Sequence, residues 1–319
     1  MKTGNMKPDM SSAPSAFLIA GATASGKSAL ALAIAEAFNG VIINADSMQV
    51  YDTLQVLTAR PDAADLARVP HYLYGHVSPQ SDYSVGHWVT DTAAALAKAR
   101  ANGQIPVFTG GTGLYFRALL HGLADIPDIP AAVREDLRAR LEEEGVLALH
   151  AELKTRDPKL AARLHPNDPQ RILRGLEVVE ATGRALSDWQ ADTQEPLLSE
   201  PAACLMLVPS RDWLYARCDA RFEAMVADGA AQAEVAALSA LHLPPQAMAL
   251  KALGVAELQA VARGEMELKT AIAQAQMHTR RYAKRQMTWF RNQMPDWASF
   301  TEQDYEDNFA NIFSFISKK

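Results

Sequence analysis

One eight-residue stretch near the N-terminus constrains the fold more than any other part of this sequence. Glycine stands at its first and sixth positions, followed by lysine and serine, which is the spacing of a phosphate-binding P-loop. The stretch consists of Gly21, Ala22, Thr23, Ala24, Ser25, Gly26, Lys27 and Ser28. A P-loop lies between a buried strand and a helix, so this motif predicts an α/β fold.

The residues around this motif predict strands that alternate with helices. Residues 17–20 form a short apolar run that Gly21 ends, and the Ala- and Leu-rich run 27–38 predicts a helix. Further apolar runs predict strands at 41–45, 71–74, 105–109 and 205–208. Long helical stretches lie near each run, so we predict a P-loop NTPase-like core with a mostly parallel sheet.

Composition changes in the middle of the chain, which predicts a second domain. Residues 123–199 contain no convincing strand, are rich in charged helical stretches and have turn-forming residues at both ends. We expect a flexible tail at residues 1–15 and a helical insertion at 123–199. The catalytic core is expected to consist of residues 16–122 and 200–319, with helices at its C-terminal end. Beyond Pro295 the sequence predicts no element.

The composition is that of a folded protein, since 49% of the 319 residues are hydrophobic and 21% are charged. Two cysteines, Cys204 and Cys218, are too few for a disulfide framework or a four-ligand zinc site, so a reducing compartment is expected. No apolar run approaches the ~20 residues of a membrane span, and residues 1–15 lack the apolar segment of a signal peptide. We therefore expect a cytoplasmic protein without a membrane partner.

The P-loop also predicts the class of ligand. Backbone N–H groups and the positive end of the following helix favour an anion, and Lys27 adds a full positive charge. The Ser28 hydroxyl is a candidate ligand of Mg²⁺. Nucleotide binding, to ATP in particular, is the general expectation for this motif, which does not by itself identify the phosphate compound.

Asp46 is the second candidate for chemistry. It directly follows the predicted strand 41–45, and open α/β sheets bind their ligands at the carboxyl ends of the strands. Asp46 should therefore face the P-loop, where its carboxylate is a candidate for holding Mg²⁺ through water or for accepting a proton from a nucleophile. The alternative is that Asp46 only caps the segment that follows it.

A second glycine-rich turn, Gly110 to Tyr115, follows the predicted strand 105–109 and opens a predicted helix. Glycine permits close approach of the backbone to a ligand, and Thr112 offers a hydroxyl group to a phosphate or a base. This pattern indicates a second anion-binding turn. The alternative is a tight turn selected only for its conformation.

Basic residues are concentrated between His278 and Gln293, where no acidic residue occurs. They are Arg280, Arg281, Lys284, Arg285 and Arg291. Like charges four residues apart on a helix repel unless an anion lies over them, which favours a polyphosphate partner. The alternative is a solvated helix face. The net charge of −6 by itself argues against a nucleic-acid partner. Nucleic-acid binding would therefore require a local cluster of basic residues such as this one.

Arg217 and Arg221 form a further basic pair, four residues apart on a predicted helix that Ser210 is expected to cap. This spacing places both side chains on one helix face. They are candidates for an anion site, with pairing to neighbouring carboxylates as the alternative. The carboxylates in question are Asp212, Asp219 and Glu223.

A proline-containing turn predicts the start of a helix in the insertion. Asp168 is expected to be its N-cap and Pro169 its first residue. Gln170 and Arg171 then lie in the first turn, and both residue types hydrogen-bond nucleic-acid bases. Capping alone also explains the pattern.

Taken together and in this order, these segments resemble those of the tRNA dimethylallyltransferases, also called tRNA isopentenyltransferases. Enzymes of this family prenylate N6 of the adenine that follows the anticodon, at position 37 of tRNA. The resemblance covers most of the chain. The resembling segments are 21–28, 46–51, 69–72, 82–85, 110–115, 165–171, the helix with Arg217, Arg221 and Phe222, and 279–291.

The resemblance implies that the P-loop holds the diphosphate of dimethylallyl diphosphate together with Mg²⁺, for which Ser28 is the ligand. Asp46 would be the general base on the adenine amino group, whose lone pair is delocalised into the ring. Thr112 and Arg221 would contact the diphosphate, and Arg221 with Lys27 would stabilise the charge of this leaving group.

The resemblance also implies that the anticodon stem-loop of tRNA is the partner, with the target base extruded into a protein channel. The channel would be lined by Asp46, Ser47, Met48 and Gln49. The other implied tRNA-binding residues are Thr112, Asp168, Pro169, Gln170, Arg171, Lys251, Arg280, Arg281, Lys284 and Arg285. A monomer is expected.

Three places depart from the family pattern. Ala22 replaces the usual proline of the P-loop, Leu57 replaces a glycine, and residues 255–256 replace a tyrosine and a basic residue with Val and Ala. The first change should leave the phosphate-binding amides intact. The others affect the contacts expected near Thr58 and Arg60, and any tRNA contact at 255–256.

Two other functions share parts of this pattern. A P-loop small-molecule kinase would use Lys27, Ser28 and Asp46 in the same way and would consume ATP. A nucleotide-switched RNA-binding module would bind tRNA without needing Asp46. The helical insertion and the basic segments favour the prenyltransferase, because a nucleotide-sized acceptor does not need them.

Overall fold

The computed structural model describes residues 14–304 and 309–317. The strands in these residues are β1 (Phe17–Gly21), β2 (Gly40–Asn44), β3 (His71–Tyr72), β4 (Ile105–Gly110), β5 (Ala203–Leu207) and β6 (Ala298–Phe300). The helices are α1 (Lys27–Ala37), α2 (Ala63–Arg68), α3 (Val85–Ala101), α4 (Gly113–His121), α5 (Ala131–Glu144), α6 (Val146–Arg156), α7 (Pro158–Ala161), α8 (Pro169–Thr182), α9 (Leu186–Ala191), α10 (Arg211–Ala227), α11 (Ala230–Ala240), α12 (Val255–Ala262), α13 (Leu268–Gln293) and α14 (Ala310–Ile316). Short 3₁₀ helices cover Met248–Lys251 and Glu302–Asp304.

The described residues divide into two compact units. The first unit runs up to Arg117 and resumes at Leu198, and it contains the sheet. The second unit, Ala118–Leu197, is helical, and α5 to α9 enclose an apolar core that includes Leu153 and Ile172. Among the described helices, none is both long enough and apolar enough to cross a membrane.

The six strands form one sheet in the order β3-β2-β4-β1-β5-β6, and every neighbouring pair is parallel. This confirms the predicted parallel sheet. β4 lies between β1 and β2, so the carboxyl ends of these three strands are adjacent. The P-loop after β1, Asp46 after β2 and the glycine-rich turn after β4 are thereby brought together.

Burial on both faces explains why such short runs form strands. All residues of β1 and β2 are buried, as expected for a parallel sheet covered by helices on both faces. Leu30 and Ile34 of α1 pack in the same core as Phe17 and Ile42 of the two strands. The helix that follows the P-loop is therefore held against the sheet by its apolar side chains.

The structure differs from the sequence predictions in several places. The strand predicted at 71–74 ends at Tyr72, because Leu73 has φ of 64° and leaves the extended region. β6 lies beyond Pro295, where no element is predicted, and its three residues form a strand by pairing with β5. Ser210 occupies the N-cap position of α10 as predicted, but its side chain makes no capping hydrogen bond.

The tail predicted at residues 1–15 lies outside the described residues except for its last two positions. There, Ser15 contacts the segment that precedes β5, since its backbone N and its Oγ both donate to the carbonyl of Pro201, at 3.2 and 2.8 Å.

Candidate active site

The P-loop joins β1 to α1 as the motif predicts. Gly26 has φ of 96°, in the left-handed region that favours glycine, and there the chain turns into α1. Across the loop, Lys27 Nζ donates to the carbonyl of Ala22 at 3.2 Å. The free N–H groups of the first turn of α1 and the Lys27 ammonium therefore lie together, which favours an anion.

Two arginines of α10 contact the P-loop. Arg221 Nη2 donates to Thr23 Oγ1, and Arg217 Nε donates to the carbonyl of Ala24 at 3.1 Å. The structure thus favours an anion site over pairing with the carboxylates of the same helix. Asp219, one of those carboxylates, binds an arginine of α13 instead.

Asn44, the last residue of β2, holds the backbone of Asp46. Its Oδ1 accepts from Asp46 N and its Nδ2 donates to Asp46 O, both at 2.9 Å. Asp46 Oδ1 in turn accepts from Met48 N at 3.0 Å. Asp46 therefore does cap the following turn, and it also lines the two cavities described below. Capping and a chemical role are compatible here.

The second glycine-rich turn packs directly against the Asp46 segment. A Cβ on Gly110 would lie 2.0 Å from the carbonyl oxygen of Ala45, so only glycine allows this approach. Thr112 N donates to the same carbonyl at 3.1 Å, and Thr112 Oγ1 accepts from Ser47 N at 2.9 Å. Thr112 thus fixes this turn beside the Asp46 segment.

Two adjoining cavities lie at this edge of the sheet. The phosphate cavity, of about 490 Å³, is lined by residues 23–29 with Gln49 and Arg217. The second cavity, of about 290 Å³, has a mixed lining, and we call it the apolar cavity because hydrocarbon and aromatic groups form one part of its wall. These belong to Met48, Leu57, Phe222, Met225, Leu253 and Tyr282. Both cavities share Thr23, Asp46, Thr58 and Arg221. A ligand with an anionic and an apolar part fits this pair of cavities.

The surroundings of these cavities perturb the titration of their charged groups. Desolvation by the surrounding protein lowers the pKa of Lys27 to about 8 and also lowers the pKa of Arg221. For both cations the Asp46 carboxylate partly opposes this effect. Burial also raises the pKa of Tyr282. The protein around these cavities therefore disfavours the charged forms of Lys27 and Arg221 relative to water.

Glu234 of α11 holds the loop that carries Leu57 and Thr58. Its carboxylate accepts from the backbone N of Gln55 at 2.8 Å, of Val56, and of Leu57 at 3.1 Å. Leu57 stands where the family pattern has glycine, but it is not among the described residues with positive φ. Its buried side chain packs with the core around it, so leucine is accommodated without backbone strain.

The basic residues of α13 have different surroundings. Arg280 Nη1 donates to both carboxylate oxygens of Asp219, at 2.6 and 2.7 Å. The exposed cations of this helix segment are Arg281, Lys284, Arg285 and Arg291. Arg285 also lines the apolar cavity, as does Lys251. The predicted tRNA-binding cations of the first unit thus include one that is already paired and several that face solvent.

In the second unit, Asp168 caps α8 and Pro169 is its first residue, as predicted. Asp168 Oδ1 accepts from Arg171 N at 3.2 Å, and its Oδ2 lies 3.4 Å from Arg171 Nε. The side chains of Gln170 and Arg171 are exposed. Their contact with tRNA stays a prediction.

Three residues that organise the site were missed by sequence reasoning: Asn44, Glu234 and Gln286. Gln286 Oε1 accepts from Thr23 N at 2.9 Å, and its Nε2 donates to the carbonyl of Gly111 at 2.8 Å. The sequence signals available are that Gln286 is uncharged within a basic helix and that it lies in the family-like segment 279–291. Its partners lie 263 and 175 positions away along the chain, so no local pattern identifies them.

The residues present fit a Mg²⁺ ion that is bound mainly by its substrate. Among the described residues, no cluster of three or more His, Cys, Asp or Glu side chains could hold a metal. Mg²⁺ commonly takes one or two protein oxygen ligands and completes its shell with phosphates and water. Ser28 and Asp46 line the phosphate cavity and offer this donor set.

Family comparisons agree with this geometry. The model of the IPP transferase family matches residues 49–293, which is more than half of the chain, and the isopentenyl transferase model matches residues 14–74. The chain belongs to the IPP transferase family. It is therefore a prenyltransferase enzyme with a P-loop NTPase-like fold, which confirms the resemblance seen in the sequence.

Named relatives and solved structures are similar to this IPP transferase over most of their length. The tRNA dimethylallyltransferases of Azorhizobium caulinodans and Rhodopseudomonas palustris are 58% and 59% identical to it, over 89% and 88% of this chain and 91% and 89% of theirs. The full-length tRNA isopentenylpyrophosphate transferase of Bacillus halodurans is 32% identical with a TM-score of 0.67, covering 95% of both chains. A eukaryotic dimethylallyltransferase acting on tRNA is 27% identical with a TM-score of 0.80, covering 95% of this chain and 80% of that one.

Proposed function

We propose that this IPP transferase transfers a dimethylallyl group from dimethylallyl diphosphate to N6 of the adenine that follows the anticodon of tRNA, and releases diphosphate. The observation that carries this proposal is the pair of adjoining cavities, one beside the P-loop and one apolar, which share Asp46 and Arg221. Each part of the donor then meets a cavity of matching chemistry. The names of the relatives support tRNA as the acceptor.

The donor binds with its diphosphate in the phosphate cavity. The N–H groups of the first turn of α1, together with Lys27 and Arg221, complement its negative charge. Ser28 would hold Mg²⁺ at this site, and the ion would supply further positive charge there. The apolar cavity receives the dimethylallyl group and excludes water from the reacting carbon.

The reaction forms a C–N bond to adenine N6 and breaks the C–O bond to diphosphate. The amino nitrogen is a weak nucleophile, because its lone pair is delocalised into the ring. Asp46 accepts a proton from this nitrogen as the C–N bond forms. Lys27 and Arg221 stabilise the negative charge that builds on the departing diphosphate.

An adenine that stays stacked in the anticodon loop cannot present N6 to an allylic carbon, so the base leaves the stack and enters the apolar cavity. Exposed Arg281 and Lys284 of α13, with Arg285 and Lys251 at the cavity, bind backbone phosphates. In the second unit, the exposed first turn of α8 contacts the stem-loop. We further propose that the enzyme acts as a monomer in the cytoplasm.

One assay tests this function. Purified protein is incubated with unmodified tRNA, Mg²⁺ and dimethylallyl diphosphate labelled in its dimethylallyl group. We expect label at the adenine that follows the anticodon, with one diphosphate released for each group transferred. Phosphate transfer from ATP without isoprenoid transfer would instead identify a kinase. Tight, nucleotide-dependent tRNA binding without any transfer would identify a binding module.

A further inference from the structure

We propose that Gln286 is a positioning residue for the transfer reaction, which fixes the P-loop relative to the turn that begins at Gly110. This inference rests on the proposed function. Gln286 does not line either cavity, so it acts through the groups that do. Its role is to keep the P-loop, which binds the leaving diphosphate, in the correct position relative to the segment that carries the general base Asp46.

The amide of Gln286 spans the space between the two turns. Its Oε1 accepts from Thr23 N at 2.9 Å, while its Nε2 donates to the carbonyl of Gly111 at 2.8 Å. A neutral amide offers both an acceptor and a donor, which these two backbone groups require. The fit is tight, because a Cβ on Gly111 would lie 2.1 Å from Gln286 Nε2. The side chain is buried, so water does not substitute for either bond.

Each end of this bridge is one step from a group with a proposed chemical role. Thr23 accepts a hydrogen bond from Arg221 through its hydroxyl. Thr112, the residue after the bridged carbonyl, accepts from the backbone N of Ser47, which follows Asp46. A hydrogen-bonded path therefore connects the arginine beside the diphosphate with the segment that carries the general base.

The packing of α13 makes the bridge rigid. Ala283, one turn before Gln286, packs in one cluster with Ala22 of the P-loop. Beyond Gln286, the Trp289 ring covers the start of α4, where a Cβ on Gly113 would lie 1.9 Å from it. The helix thus touches both turns on either side of the amide, and a small displacement of a reacting group is enough to slow a reaction strongly.

Gln286→Met tests the bridge, because methionine keeps the length of the side chain but makes neither hydrogen bond. We expect the rate of transfer at saturating substrates to fall about 10- to 100-fold. The affinity for tRNA should be retained, because the exposed cations of α13 are untouched. Gln276→Met is the matched control, since Gln276 lies on the same helix and donates to Asp219 O and Glu223 Oε1, at 3.2 and 3.0 Å, away from both turns. This control should transfer at the wild-type rate.

Gln286→Glu supplies a second readout that a purely structural role would not produce. An ionised carboxylate still accepts from Thr23 N but cannot donate to Gly111, whereas a protonated carboxyl group can do both. The transfer rate of this variant, divided by that of the wild type at the same pH, should therefore rise as the pH falls from about 8 to about 6, since burial among carbonyl groups raises the pKa of a carboxyl.

The outcomes separate this inference from the proposed function. Absence of label transfer by the wild-type enzyme would contradict the proposed function itself. Transfer by the wild type, with equal rates for Gln286→Met and Gln276→Met, would overturn the positioning role. If the methionine variant does not fold, as judged by thermal denaturation, the pH profile of Gln286→Glu decides, and a constant ratio across that range overturns the role.

Discussion

Arg280 Nη1 lies 2.6 and 2.7 Å from the two carboxylate oxygens of Asp219, so the first arginine of the basic segment on α13 is already paired within the protein. Lys284, one helical turn later, is exposed. The two cations look equivalent in the sequence, but they do not offer the same charge to a polyanion. This difference can be measured.

We expect Lys284→Gln to weaken tRNA binding and to reduce the slope of log Kd against log salt concentration by about 0.7–0.9, the value for one phosphate contact. Arg280→Gln should change the slope less, because Asp219 already neutralises part of the Arg280 charge. Titrations of tRNA at several salt concentrations measure both slopes. Equal reductions in the two variants would show that Arg280 contacts a phosphate despite its pairing. An unchanged slope in Lys284→Gln would show that this face of α13 is solvated and does not bind tRNA.

The base role of Asp46 can be separated from its capping role. Asp46→Asn keeps an oxygen that accepts from Met48 N but cannot accept the proton from adenine. We expect the transfer rate to fall by about 100-fold or more, with tRNA binding retained. Asp46→Ala removes both functions and should abolish transfer. Single-turnover transfer and tRNA titration provide the two measurements, and near wild-type transfer by either variant would remove Asp46 from the base role.

The lowered pKa of Lys27 predicts how donor binding depends on pH. Its pKa is lowered to about 8, chiefly by desolvation, so the free enzyme loses this positive charge as the pH rises above about 8. A bound diphosphate favours the charged form. Donor affinity should therefore decrease with increasing pH in this range, and binding near pH 8 should take up protons. Calorimetric titration with dimethylallyl diphosphate, without tRNA, in two buffers of different ionisation enthalpy measures this uptake.

Lys27→Met is the control for that experiment. The variant should bind the donor more weakly and should lose the part of the proton uptake that belongs to the lysine. If the wild type and this variant take up the same number of protons near pH 8, another group titrates on donor binding and the assignment to Lys27 is wrong.

Glu234 should stabilise the loop that walls both cavities. Glu234→Ala leaves three backbone N–H groups without their carboxylate partner, so we expect the free energy of unfolding to fall by about 1–3 kcal/mol. The KM for the donor should also rise, because Thr58 lines the phosphate cavity. Urea denaturation and steady-state kinetics measure the two effects. Glu265→Ala, which removes an exposed carboxylate bound to Arg263, serves as control and should change neither.

Much of the fold follows from local sequence. The run 17–20, the spacing from Gly21 to Ser28 and the helix that starts at Lys27 are predicted correctly, because contiguous residues decide backbone conformation and burial pattern. The cap at Asp168 is equally local. β6 is not, since three residues have too little pattern of their own and become a strand by pairing with β5.

The sequence by itself determined the P-loop, the parallel α/β core and the family, because each depends on residue types at fixed spacings. Only the tertiary structure decided which side chains hold the site together. Gln286 bonds to two turns, Arg280 pairs with Asp219, and Glu234 accepts hydrogen bonds from the backbone of residues 55–57. These partners lie 61 to 263 positions apart along the chain. Hydrogen bonds of this kind depend on positions in space to within a few tenths of an ångström, and those positions are set by the packing of the whole unit.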